Sequence, residues 1–148
     1  MRFNRIYISI LCVGFLFGPI AFATQSGKLI GWGDEYISSS TCENIIKSSV
    51  GAVHSLALKN DGSIAAWGSN YDGQCNVPTP NTEFIDVAAG GWHSLGVKQN
   101  GSIQAWGYNA YSQCNIPSPN VDFVAVAAGD CHSLGLKSDG SIVAWGES

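Results

Sequence analysis

Between residues 54 and 145 the alternation of apolar and polar positions follows one template that recurs. A run of β-type residues, His54-Ser-Leu-Ala-Leu-Lys59, meets an Asp61-Gly62 pair and is followed by Ser63-Ile-Ala-Ala-Trp-Gly68. His93 to Gly107 around Asn100-Gly101, and His132 to Gly146 around Asp139-Gly140, repeat it. Asp-Gly and Asn-Gly favour type I′ turns, so each stretch predicts a two-residue β-hairpin. Pairing outward from Asp61-Gly62 sets Leu58 opposite Ala65, Leu56 opposite Trp67 and His54 opposite Ser69, with Ala57, Ala66 and Ile64 on the other face. Both faces are then apolar or small, as a sheet packed on two sides requires. Phe84 to Ala89 and Phe123 to Ala128 predict a third strand in each unit. Each leads into Ala-Ala-Gly, whose small residues let backbones approach one another. The stretches 70–81 and 109–120, each with Gln-Cys-Asn and two prolines, predict a short edge strand and a surface loop.

The repeat has a period of 39 residues. His54, His93 and His132 keep that spacing, as do Trp67, Trp106 and Trp145, and residues 54–92 match 93–131 at 22 positions without a gap. Gly27-Lys-Leu-Ile-Gly-Trp-Gly33 mirrors Gly62-Ser-Ile-Ala-Ala-Trp-Gly68 at an offset of 35, which marks a shorter, diverged first copy. The array thus comprises a partial unit at 27–50 and units starting at 51, 90 and 129, the last truncated.

Residues 1–23 differ in kind. Arg2 and Arg5 precede the apolar run Ile6 to Phe17, and Gly18-Pro19 leads to Ala21-Phe22-Ala23. A charged start, an apolar run too short to span a bilayer and a small-x-small ending describe a secretory signal cleaved after Ala23. The expected mature chain, 24–148, is secreted or periplasmic, with no membrane contact after cleavage. The full sequence has a formal net charge of −4; loss of both arginines leaves five lysines against eleven acids. That sign excludes nucleic acid as the expected partner, because non-specific binding to phosphate backbones is driven by Lys and Arg.

The string Ala-Ala-Gly, His-Ser-Leu, Lys, Asp-Gly-Ser-Ile, Ala-Trp-Gly, Asn and Gln resembles the repeat of the regulator of chromosome condensation family. The resemblance covers residues 27 to 148. It implies an all-β fold of β-propeller blades, here an incomplete propeller of about three to four blades, where the family builds about seven blades of four strands. Gln-Cys-Asn-Val-Pro and Gln-Cys-Asn-Ile-Pro replace a glycine-rich stretch of the longer eukaryotic repeat, so the unit looks like the compact bacterial version. The resemblance also implies a non-catalytic protein-interaction scaffold acting through its loops, with a protein partner. The guanine-nucleotide exchange activity of nuclear members does not carry over to an acidic chain with an export signal.

The candidate chemistry is sparse. Each of the three in-register histidines belongs to a different unit with no second ligand at zinc spacing, so each is expected to pack and bond inside its own blade, with no metal and no cofactor. Trp32, Trp67, Trp106 and Trp145 recur once per unit and read as blade packing. Trp92 stands where the other units have Val53 and Cys131, and is the candidate partner contact. Of Cys42, Cys75, Cys114 and Cys131, the equivalent pair Cys75 and Cys114 reads as small buried thiols. Asp61, Asp72, Glu83, Asp122 and Asp139 read as solvated turn residues. No nucleophile elbow, phosphate loop or carboxylate pair marks a catalytic site. The alternatives are a secreted carbohydrate-active or hydrolytic enzyme with a loop-built site, and a non-functional fragment of a longer propeller. A mature array of about 3.2 units leaves apolar blade faces uncovered, so a homo-oligomer is the expected remedy, with an arc covered by another protein or an aggregating product as the other outcomes.

Overall fold

The computed structural model describes residues 20–24, 28–32 and 44–147. It divides into two units, the first ending at Asn44 and the second running from Ile45. In the first, β1 (Ile20–Thr24) pairs antiparallel with β2 (Lys28–Trp32). The predicted cleavage point, after Ala23, falls in β1, and residues 1–19 of the expected signal lie outside the described residues, as does Cys42.

The second unit holds three antiparallel three-stranded sheets. They are β3 (Ile45–Val50), β4 (His54–Lys59) and β5 (Ile64–Gly68); β6 (Phe84–Ala89), β7 (His93–Lys98) and β8 (Ile103–Gly107); and β9 (Phe123–Ala128), β10 (His132–Lys137) and β11 (Ile142–Gly146). Every sheet is a meander in chain order. The third strands predicted at 84–89 and 123–128 are present as the first strand of their sheets. Ile45–Val50 fills the same place in the first sheet although it lacks the Phe and Ala-Ala of its counterparts. All three sheets carry a β-bulge near the start of that strand, which turns Ile46, Ile85 and Val124 out to solvent.

The hairpins correct the predicted register. Leu58 faces Ile64, Leu56 faces Ala66, Ser55 faces Trp67 and His54 faces Gly68, one residue away from the expected pairing. Gly62 N donates to Lys59 O (3.0 Å) and Lys59 N to Ser63 O (2.8 Å), so the loop has three residues rather than two. Only its last residue, Gly62, has positive φ (77°), the signature of a type I turn closed by a glycine bulge. A one-residue shift exchanges faces. His54, Leu56, Leu58, Ile64 and Ala66 therefore share one face, and Trp67 joins Ser55 on the other.

That face decides the packing. Leu56, Leu58 and Ile64 of the first sheet form a core with Phe84, Val87, Ala89 and Trp106 of the second. Leu95, Val97 and Ile103 repeat this against Phe123 and Val126 of the third. Full burial of each large aliphatic side chain contributes roughly 1.5–3 kcal/mol, so the sheets are held by their mutual faces more than by their own hairpins. On the third sheet the same face is open: Ile142 is 68% exposed where Ile64 is 4%.

The expected edge strand at 70–81 and 109–120 is absent; both stretches form turns and loops. A side chain takes its place. Asn81 accepts from Ile64 N (2.7 Å) through Oδ1 and donates to Ile64 O (2.8 Å) through Nδ2, pairing with the outer edge of β5 as a strand residue would. Asn120 does the same for Ile103. With prolines at 78 and 80 removing backbone donors, one amide closes an edge that a ladder could not.

Candidate functional site

Strand direction sorts the loops into two ends. The turns after β3, β6 and β9 lie at one end, together with the loops that leave β5 and β8. At the other end lie the hairpins and the residues that enter β6 and β9. The joints between sheets lie near the first end, and their hydrogen bonds explain the recurring histidine, serine, glutamine and tryptophan.

Ser94 Oγ of the second sheet donates to Gln74 O (2.9 Å), so it accepts from His54 Nε2 (2.8 Å) of the first. Trp106 Nε1 donates to the same Gln74 carbonyl (2.8 Å). His93, Ser133, Gln113 and Trp145 repeat the arrangement one sheet on. His54 and His93 thus bond to the following blade, correcting the expectation that each bonds inside its own. Equal copies hid this, because the same serine recurs in each blade and spacing alone does not say which one the ring meets. The Gln74 and Gln113 side chains, fully buried, accept from Asp72 N and Tyr111 N and so shape the loops whose carbonyls are used. A Cβ on Gly90 would come within 2.3 Å of the His93 ring, so glycine is required where the ring lies on the turn.

Both imidazoles are neutral in this setting. Burial first, and the neighbouring imidazole second, lower the pKa of His54 and of His93 to about 4. A second proton would sit on Nδ1, which has no hydrogen-bond partner among the described residues. No cluster of three or more His, Cys, Asp or Glu is arranged for a metal among those residues.

Trp106 and Trp145 serve packing, as expected of them, while the side chain of Trp32 lies outside the described residues. Trp106 is buried, and its ring lies 6.4 Å from that of Phe84. Cys75 and Cys114 are half-buried, their thiols donating to Ser69 O (3.3 Å) and Tyr108 O (3.5 Å), and burial pushes the Cys114 thiol up to about 11. Asp61 and Asp139 are exposed turn residues whose carboxylates accept from Ser63 and Ser141, which holds both below the ordinary carboxylate range. Lys98 Nζ lies 3.7 Å from the Phe84 ring centroid and donates to Pro80 O and Thr82 O.

Asp86 was not among the acids the sequence singled out. It is buried in β6, paired with Lys47 of the first sheet, and accepts from Val126 N (3.0 Å) of the third. One carboxylate therefore ties three sheets where their first strands run side by side. The signal for it was a charge reversal at one repeat position, Lys47, Asp86 and Ala125, inside apolar strands.

At the loop end, Trp92 is 40% exposed. Its carbonyl accepts from Tyr108 N (2.9 Å), and the Tyr108 and Tyr111 rings meet edge to face at 6.1 Å. Tyr71 is 98% exposed in the loop that contains Gln74. The tyrosines escaped notice because they occupy positions where the repeats disagree: Ser69, Tyr108 and Glu147 are equivalent, as are Asp72 and Tyr111.

The regulator of chromosome condensation (RCC1) repeat matches residues 45–74, 84–113 and 123–148. No curated protein matches the sequence. Among solved structures, Prp20p from Saccharomyces cerevisiae, described with its binding to Gsp1p and histones, is 22% identical with a TM-score of 0.69, over 86% of this chain and 43% of that one. The ectodomain of the Physcomitrella patens receptor kinase CR4 is 25% identical with a TM-score of 0.67, over 84% and 36%. The computationally designed Ika4 protein is 14% identical with a TM-score of 0.54, over 90% and 88%. This chain spans less than half the length of the two natural proteins. The three matched repeats cover more than half of the sequence, and with the blade-like sheets they place the chain in the regulator of chromosome condensation repeat family, as a partial β-propeller.

Proposed function

We propose that the chain is an exported, non-catalytic scaffold that binds a protein partner through the loop end of its blades. The observation that carries this reading is where the repeats differ. At the hairpin end they are nearly uniform, with Asp61-Gly62-Ser63, Asn100-Gly101-Ser102 and Asp139-Gly140-Ser141. At the loop end the equivalents diverge, as Val53, Trp92 and Cys131 do. A rigid frame with variable loops at one end is the arrangement of a binding surface. Prp20p, described with Gsp1p and histones as binding partners, supports a protein partner by analogy. Export rests on the charged, apolar and small-residue pattern of residues 1–23. The exposed Leu136 and Ile142, on the face that is buried in both preceding sheets, favour association with a second copy.

A photo-cross-linking residue at Ser112, on the loop end, should yield a discrete adduct with another protein, while one at Ser141 should not. Absence of any adduct, together with turnover by the purified protein in a broad hydrolase screen, would overturn the scaffold reading. The exported form should begin at Thr24 by N-terminal sequencing, and an uncleaved cytoplasmic form would refute export. Light scattering coupled to size exclusion should give a mass above that of one chain; a stable monomer at micromolar concentration would refute association.

A further inference from the structure

The loop end carries a second regularity, in its charge. In the second unit, Lys47, Lys59, Lys98 and Lys137 all lie in the hairpin half of their strands, the last three at the ends of β4, β7 and β10. Asp72, Asp130 and Glu147 stand at the loop end, with no lysine or arginine there among the described residues of the second unit. The aromatic and acidic groups are contiguous. Tyr111 packs on Tyr108, whose amide bonds to Trp92 O. Gly91, next to Trp92, donates to Gly129 O (3.2 Å), the residue before Asp130, and Glu147 N donates to Cys131 O (3.0 Å). The strip thus crosses from the second blade to the third, aromatic on one side and anionic on the other.

The exposed Trp92 indole and Tyr111 phenol, with the half-buried Tyr108 packed on Tyr111, offer negative ring faces, and the exposed carboxylates of Asp130 and Glu147 on the adjoining turn and strand end add charge of the same sign. Neutral apolar partners would leave those carboxylates unpaired, and acidic ones would be repelled. A guanidinium satisfies both halves at once, stacking its plane on a ring while its edge donates to a carboxylate.

We propose that this end of the array docks an arginine-rich segment of a partner protein, with Trp92, Tyr108 and Tyr111 stacking the guanidinium groups and Asp130 and Glu147 pairing their charge. The assignment rests on the scaffold reading above and names its surface and the chemistry of its partner.

The test uses the purified full chain and a fluorescently labelled peptide with four arginines separated by Gly-Ser, with binding read by anisotropy at low and physiological salt. Binding is expected, weakening as salt rises. Trp92→Ala and Glu147→Gln should each weaken it about three- to tenfold. Asp61→Asn, which removes one charge from the hairpin end, should not change it. Matching urea midpoints for the three variants would show that all remain folded. Equal weakening by Asp61→Asn would mean diffuse attraction to an acidic protein and would overturn the proposal. So would binding of a neutral β-glucan at this end in place of the peptide. Failure to bind the peptide while the Ser112 adduct still forms would sink this inference alone; loss of both would sink the scaffold reading with it.

Discussion

Replacing Ser94 with alanine probes the joint between blades at its centre. The hydroxyl makes two contacts, accepting from His54 Nε2 at 2.8 Å and donating to Gln74 O at 2.9 Å. The two lost bonds differ in consequence. Gln74 O keeps the indole N–H of Trp106, so it stays satisfied. His54 Nε2–H is left in a fully buried position with no acceptor, and an orphaned buried donor costs about 1–3 kcal/mol. Adding about 1 kcal/mol for the second bond gives an expected loss of about 2–4 kcal/mol. Ser102→Ala is the control, because Ser102 Oγ bonds only Asn100 at the exposed hairpin and should cost below about 1 kcal/mol. Urea unfolding of both variants, followed by far-ultraviolet circular dichroism, separates them. Equal midpoints for Ser94→Ala and Ser102→Ala would refute the view that the serine couples neighbouring sheets.

Stability should also fall in mild acid: His54 and His93 titrate near 4 when folded and near 6.5 when unfolded, so the unfolded chain binds the extra protons. The joint is therefore at full strength above about pH 6.5 and weakens as pH drops towards 4, by up to ~3 kcal/mol per histidine; a urea midpoint higher at pH 4.5 than at pH 7.5 would contradict this. Trp106→Ala should cost roughly 3–5 kcal/mol through lost ring burial, and Trp106→Phe should recover most of it apart from the bond to Gln74 O; calorimetric melting showing no loss for Trp106→Ala would place the ring outside the core. Asn120→Ala removes both bonds to Ile103 and should cost about 1–3 kcal/mol, with faster amide exchange at Ile103 as its local signature.

What the sequence disclosed was periodic, and what it concealed was geometry that periodicity does not encode. The 39-residue spacing located the hairpins and the strands at 84–89 and 123–128. Asp61-Gly62 is compatible with a two-residue or a three-residue loop, and the choice turns on which residues adopt positive φ. Alternation did not arbitrate, since Ala57, Ala65 and Ala66 are acceptable on either face. The expected edge strand rested on stretches with prolines that an outer edge tolerates; the single amide of Asn81 pairs with the β5 edge instead, and no strand propensity reports that. Trp92 was singled out by breaking the repeat, and it lies exposed at the loop end. Tyr108 and Tyr111 break it equally, but they sit in loops whose direction becomes readable only once the strands are oriented.

The joint has a consequence for the order of the units. Everything in it comes from residues that the copies share: the histidine and glutamine of one unit, the serine and tryptophan of the next, and the glycine beneath the ring. Nothing in these bonds distinguishes one neighbour from another. Exchanging the first sheet and its loop with the second would preserve the His, Ser, Gln and Trp contacts, permute the loops above them, and disturb the tie that Asp86 makes to Lys47 and Val126. Duplication or recombination of whole units can therefore rearrange what the surface presents while the stacking rule stays fixed, so the array can vary its outer face without having to reinvent its interior.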